Sequence, residues 1–242
     1  MILSQNEFAE LCKNCFKQNA LDAFCEQNTL FLLYQMVTHM LKVNEVINLT
    51  AITEPEHIVL KHLADSLTAA QFIPHGASVL DVGCGGGFPS LPLAIARPDL
   101  SITALDSTAK KTKYVADSAA LLGLKNLKTL TGRAEELGHQ AENREKYDLV
   151  TARAVAPLAI LCEICIPFIK KGGYMLAMKA KLDPSELTQA PETLGCTAFE
   201  HHALELKSPR ETETRVLLLA KKIKDTPKEY PRGYAQIKKK PL

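Results

Sequence analysis

Four glycines fall within the five residues Gly83–Gly87, and the segment closes on Phe88. Glycine gives up more backbone freedom on ordering than any other residue. Such a cluster is therefore costly unless positive φ or a close backbone approach requires it. The run before it, Ser78-Val79-Leu80-Asp81-Val82, reads as a short strand, and the run after it, through about Ala96, reads as a helix. A strand, a glycine loop and a helix in that order open a doubly wound sheet, whose ligands bind outside the carboxyl ends of its strands.

The remainder of the chain extends that unit. Further strands are expected at Ser101–Leu105 ending on Asp106, at Leu127–Leu130, Tyr147–Thr151 and Tyr174–Met178, and near Phe199–Leu206 and Arg215–Ala220. Helices are expected between them, at about Ala109–Leu122 and Leu158–Ile169 and near Pro184–Gln189. This alternation specifies an α/β fold, a doubly wound and mostly parallel seven-stranded sheet closed by an antiparallel hairpin. Residues 4–47 carry apolar side chains at three- and four-residue steps, among them Phe8, Leu11, Cys12, Cys15 and Phe16, as helices do. A further helix is expected from about Pro55 to Gln71, because Thr53-Glu54-Pro55-Glu56 offers a cap with proline in the first turn. The expected division is a helical extension at 1–72, a sheet domain at 73–222 and a basic tail at 223–242.

Charge is unevenly spread. The chain has a net charge of +2, yet residues 221–242 hold eight Lys and Arg against two acids. Such a segment suits a polyanion such as nucleic acid, or serves only to keep the terminus solvated. The seven cysteines, an odd number, fit reduced thiols and a cytoplasmic setting. The first residues lack the basic and apolar regions of a secretory leader. The longest mostly apolar stretch, Ala154–Ile169, is too short to span a bilayer.

What the glycine loop holds is narrowed by elimination. A dinucleotide fingerprint needs a third glycine where this chain has Phe88, and a phosphate loop needs Gly-Lys-Ser/Thr, which is absent. A small nucleoside cofactor without a diphosphate remains, most simply S-adenosylmethionine. Asp106, at the end of the second strand, suits both ribose hydroxyls. Asp81 has two readings, a partner for a cationic group of the cofactor or an anchor for loop amides.

The segment Asp81-Val82-Gly83-Cys84-Gly85-Gly86-Gly87-Phe88-Pro89 resembles the cofactor loop of class I (Rossmann-like) methyltransferases. Its continuation Leu91-Pro92-Leu93-Ala94-Ile95 is similar to the bacterial 16S ribosomal RNA guanine-N7 methyltransferases. Further segments resemble that family in order and spacing: Asn48-Leu49-Thr50, His62-x-x-Asp65-Ser66, Leu105-Asp106-Ser107 with Lys110-Lys111, Gly132-Arg133-Ala134-Glu135, Ala152-Arg153-Ala154-Val155 and Tyr230-Pro231-Arg232. The resemblance implies S-adenosylmethionine as methyl donor and N7 of one guanine in the decoding region of 16S RNA, or of the small ribosomal subunit, as acceptor. It implies cofactor contacts at Gly83, Phe88, Asp106, Ala134, Glu135 and Arg153, with Asp81, Gly85 and Gly87 as further candidates. Candidate RNA contacts are Lys110, Lys111, Arg153, Arg232, Lys238 and Lys239. The alternatives are a ribosome-binding factor that has lost turnover and a methyltransferase for another RNA.

The chain departs from that family's pattern at Ser90, where glycine is usual, and in the tail after Arg232. Guanine N7 carries a free lone pair, so no general base is expected. Arg153 is expected to stack on the base or bind phosphate, or else to pair with Glu135 or Asp106. His62 and Asp65, three apart on one helix, are expected to fix the helical extension to the cofactor loop rather than to act in catalysis. Cys12/Cys15 and Cys162/Cys165 have Cys-x-x-Cys spacing but sit among apolar neighbours, where thiols fill space; no metal is expected.

Overall fold

The computed structural model describes residues 3–153 and 156–242. Helix α1 (Gln5–Gln18) starts at a capping box: the Ser4 hydroxyl accepts from the Glu7 amide and the Glu7 carboxylate accepts from the Ser4 amide. It packs Phe8, Cys12, Cys15 and Phe16 towards α2 (Gln27–Asn44), which buries Leu30, Leu33, Met36 and Met40.

The helix expected from Pro55 exists but is not uniform. Helix α3 (Pro55–Ile58) widens into a π-helical stretch, Val59–Ala64, and resumes as α4 (Asp65–Thr68), ending in a 3-10 turn at Ala69–Phe72. Residue types do not reveal a widened turn, because its side chains keep the composition of an ordinary helix. Such turns recur at functional sites.

From residue 78 strands and helices alternate. The elements run β1 (Ser78–Val82), α5 (Ser90–Ala96), β2 (Ser101–Asp106), α6 (Ala109–Leu121), β3 (Leu127–Thr131), α7 (Ala134–Leu137) and β4 (Tyr147–Arg153). They continue with α8 (Leu158–Cys165), β5 (Ile169–Lys179), α9 (Ala190–Thr193), β6 (Glu200–Lys207), β7 (Thr212–Lys221) and α10 (Tyr234–Lys239). Among the described residues seven strands form one sheet of order β3-β2-β1-β4-β5-β7-β6. Strands β1 to β5 are parallel, and β7 runs antiparallel to both β5 and β6. The order reverses between β1 and β4, so a crevice opens above their carboxyl ends.

Both faces of the sheet are covered, which is why the central strands are rich in buried apolar residues. Alternate residues of β1 serve different layers: Val79 joins the cluster of α1, α2 and α5, while Leu80 and Val82 join that of α8. Cys12 and Cys15 lie in the first cluster and Cys162 and Cys165 in the second, all buried, so the two pairs fill different layers.

Three expectations are corrected. Helix α8 stops at Cys165 instead of reaching Ile169, because Pro167 has no amide to continue it; a 3-10 turn, Ile166–Phe168, follows. The helix expected near Pro184–Gln189 is a 3-10 turn at Pro184–Glu186 followed by the short α9. The basic tail is not simply a solvated strip. Arg144 donates to the carbonyls of Thr226 and Tyr230, both at 2.8 Å, and Ile237 of α10 is fully buried.

Candidate active site

Loop 83–88 is held by backbone and carboxylate together. The amides of Gly83 and Cys84 donate to the Leu105 carbonyl at 2.8 and 2.9 Å, tying the loop to β2. The Gly85 amide donates to Asp106 Oδ2 at 3.0 Å and the Thr108 amide to Oδ1 at 2.8 Å. Gly83 has φ +77°, a conformation that side chains resist. Gly87 is glycine for another reason as well. It has φ +84°, and a Cβ there would stand 2.4 Å from Leu91 Cδ1, so it lets the loop turn tightly onto α5. It takes the packing role that a dinucleotide loop gives its third glycine.

Above the loop lies a cavity of about 580 Å³. Its wall gathers Gly83, Gly85, Phe88, Asp106, Ala134, Glu135, Arg153 and Lys111 from four strand ends and their loops. Asp81, Gly87 and Lys110 are not part of that wall.

Asp81 does not anchor the loop amides. The loop amide is held by Asp106 instead, and Asp81 is 1% exposed, accepting from the Ser90 hydroxyl. Burial pushes its carboxyl up to about 6, against the lowering effects of Ser90 and Arg153. Ser90, the departure from the usual glycine, is therefore the polar partner of this carboxylate. Asp81 Oδ1 is buried without a hydrogen-bond partner among the described residues.

Arg153 pairs with neither Glu135 nor Asp106. One guanidinium nitrogen donates to Asp65 Oδ2 and to the Lys61 carbonyl, both at 2.9 Å. The carbonyl belongs to the π-helical stretch. The guanidinium also lies over the Phe88 ring, 5.3 Å from its centroid. The other oxygen of Asp65 accepts from Arg215 Nε at 3.1 Å, so one buried carboxylate serves two arginines. Glu135 instead accepts from Arg133 Nε at 2.5 Å, next to it in the turn that begins α7.

His62 stacks on Phe88 with ring centroids 4.3 Å apart. Its Nδ1 is 3.4 Å from Arg153 and its Nε2 is 2.8 Å from Thr50 Oγ1. Arginine only donates, so Nδ1 accepts and Nε2 carries the proton to the threonine. Burial, then the charge of Arg153, lowers its pKa to about 4, and the ring is neutral at pH 7. His62 and Asp65 thus do more than fasten the helices. They set the ring and the guanidinium at the cavity wall. Thr50 is itself fixed: Asn44 Oδ1 accepts from the amides of Leu49 and Thr50, and Asn44 Nδ2 donates to the Thr50 carbonyl.

Of the candidate RNA contacts in the tail, Lys238 and Lys239 are exposed on α10. Arg232 is engaged elsewhere, donating from Nε and Nη2 to the fully buried Glu163 at 2.7 and 2.6 Å. Lys222 is likewise buried, beside Thr226 and Glu145. Tyr234 and Arg133 were not foreseen. The guanidinium lies over the tyrosine ring at 4.9 Å and both line the cavity mouth. An aromatic residue amid a lysine-rich tail was the available signal.

A glycine loop with positive φ, a carboxylate at the end of the next strand and a cavity at the sheet's switch point define a class I S-adenosylmethionine-dependent methyltransferase. The fold agrees with solved structures. A precorrin-6y C5,15-methyltransferase from Geobacter metallireducens matches with TM-score 0.53 and 16% identity over 73% of this chain and 92% of that one. A SAM-dependent O-methyltransferase from Thermotoga maritima matches with TM-score 0.51 and 14% identity, covering 78% and 72%. Sequence narrows the class: the chain belongs to the rRNA small subunit methyltransferase G family, whose pattern it matches over residues 28–214. It is 42% identical to the ribosomal RNA small subunit methyltransferase G of Lactobacillus acidophilus, over 90% of this chain and 92% of that protein. With the same-named protein of Desulforamulus reducens it shares 38% over 98% and 99%.

Proposed function

We propose that this protein methylates N7 of a guanine in 16S ribosomal RNA, with S-adenosylmethionine as donor and the small ribosomal subunit as the cytoplasmic partner. The observation that carries the reading is the cavity bounded by loop 83–88, Asp106 and Arg153, in a chain of this family. The residues fit the donor. Each Asp106 oxygen accepts one backbone amide and keeps a further acceptor site, enough for a ribose diol. The positive-φ loop lets a ligand approach backbone where side chains would intrude. Bound there, S-adenosylmethionine supplies an electrophilic methyl group on a sulfonium centre. In this reading Gly83, Gly85 and Phe88 hold the donor from the loop side, and Ala134 and Glu135 bound its base.

No residue is required to remove a proton, because N7 attacks with its own lone pair. The protein's part is positioning, worth up to ~7–11 kcal/mol when the reacting atoms are held in line. Neutral His62, and Arg153 with its charge answered by Asp65, keep the wall from adding net positive charge as guanine becomes cationic. In A-form RNA N7 faces a deep, narrow groove, so the acceptor must lie in a loop or leave its stack. Lys111 on the cavity wall, with Lys110, Lys238 and Lys239 in solvent, supplies phosphate contacts.

The test is direct. Small subunits lacking the modification, incubated with the protein and labelled donor, take label into 16S RNA, at a guanine where borohydride and aniline then cleave the chain. No label, or label elsewhere than N7, refutes the reading. Asp106→Ala is expected to weaken donor binding by about 1.5–3 kcal/mol, the scale of a charge-assisted hydrogen bond, in calorimetry.

A further inference from the structure

Beyond Arg153 lies a second cavity, of about 460 Å³. His62 and Arg153 line both cavities, so the two meet at these side chains. The second opens at the carboxyl ends of β4 and β5, from which Arg153, Met178 and Lys179 project into its wall. Its lining is mixed: Ile52, Leu161, Met178 and Leu217 are apolar, and lysine and arginine side chains complete it with His62 and Asp65. Most of those cations are already answered: Lys61 by Glu211 and Glu213, Lys179 by Glu186, Arg215 by Asp65 and Glu213. Lys181 is exposed and has no ion-pair partner among the described residues.

A nucleotide lifted from its stack presents a flat apolar body and one anionic group. An apolar wall with a single unanswered cation at its rim matches that chemistry. The volume is within the range that holds small ligands. Building on the methyl-transfer reading above, we propose that this second cavity receives the acceptor guanine nucleotide. Its base lies against the wall that includes Ile52 and Met178, and its phosphate meets Lys181. The reacting nitrogen then comes to the seam at His62 and Arg153. There the N7 lone pair forms the new bond to carbon as the carbon–sulfur bond breaks. The bonding pair remains on sulfur as a thioether, and the positive charge passes to guanine without movement of a proton. The π-helical turn has a part in this, since its Lys61 carbonyl and His62 ring are what fix the seam.

Two variants test the assignment, each read by donor affinity and by methylation of unmodified small subunits. Ile52 is half-buried in an irregular segment, so Ile52→Trp narrows the cavity without disturbing a helix or strand. Expected are donor affinity within about twofold of wild type and kcat/KM for subunits lowered on the order of 100-fold, the effect of an ångström-scale misplacement. Lys181→Ala is expected to raise KM for subunits with kcat unchanged, and to reduce the salt slope of log(1/KM) by about one. A structural residue would not alter that slope. Wild-type protein that leaves 16S RNA unlabelled overturns the methyl-transfer reading itself. Wild-type activity with unchanged kcat/KM in Ile52→Trp overturns the cavity assignment alone, as does donor affinity falling in step with rate. An unchanged slope in Lys181→Ala removes the phosphate contact.

Discussion

Asp81 is a fully desolvated carboxylate with one hydroxyl partner, and Ser90 is therefore the residue whose loss it would feel most. Ser90→Ala is expected to cost about 1–3 kcal/mol in denaturant unfolding, the penalty for orphaning a buried polar group, and to push the Asp81 carboxyl higher still. Two residues give opposite pH trends over one window. His62 has its folded pKa lowered to about 4 from an unfolded value near 6.5, so its contribution is complete above ~6.5 and is lost as pH falls towards 4. Asp81 has its folded pKa raised to about 6, so its contribution is complete below ~3.8 and is lost as pH rises through 6. Each trend is on the order of 3 kcal/mol and the two offset between pH 4 and 6. The stability difference between wild type and His62→Gln is expected to grow as pH rises from 4 to 6.5. That between wild type and Asp81→Asn is expected to shift against wild type as pH rises from 4 to 6. Urea titrations at stepped pH separate them, and flat differences in both would mean neither group titrates as described. At this scale the sequence showed which residues matter better than what they touch. Asp106 was visible from its strand end, His62 from its spacing to Asp65 and Arg153 through the family resemblance, but the Asp65 carboxylate shared by Arg153 and Arg215 reaches residues 88 and 150 positions away, which no local pattern encodes.

Among the elements, the strands were legible because a parallel sheet covered on both faces demands unbroken apolar runs bounded by turn residues. Seven short runs rich in apolar or β-branched residues were read, and a strand formed over each, with β5 beginning earlier, at Ile169. The helices were read less well where hydrogen bonding, not composition, decides their form. The π-helical turn is the case that matters, since it gives the site His62 and the Lys61 carbonyl. Short α7 and α10 left too few residues for a period to show. The loop offers its own test. Gly87→Ala places a methyl group on Leu91 and forces φ +84° on an L-residue, so a loss of more than about 1 kcal/mol is expected in thermal melts. Gly76→Ala, also at positive φ but with open space around the new Cβ, is expected to cost less. Equal losses would assign the whole effect to backbone conformation.

At the scale of the whole molecule the tail belongs to the fold as well as to the surface. Arg232 answers a carboxylate, Glu163, that is entirely removed from solvent. Breaking a buried pair costs about 3–5 kcal/mol, and the partial exposure of Arg232 brings the expectation for Arg232→Ala to about 2–3 kcal/mol. Lys239 is exposed, and Lys239→Ala is expected to leave the melting temperature in place and to weaken subunit binding instead. If Arg232→Ala melts like wild type, its role is at the RNA after all. The same economy of structure holds between the two cavities, which have His62 and Arg153 in common. A ligand that moves either side chain in one cavity changes the wall of the other. Thermodynamic linkage then fixes the bookkeeping: whatever factor the donor applies to the affinity for the acceptor, the acceptor applies to the donor. Binding order, and the escape of the spent donor from a subunit-bound enzyme, are governed by one coupling free energy held in two side chains.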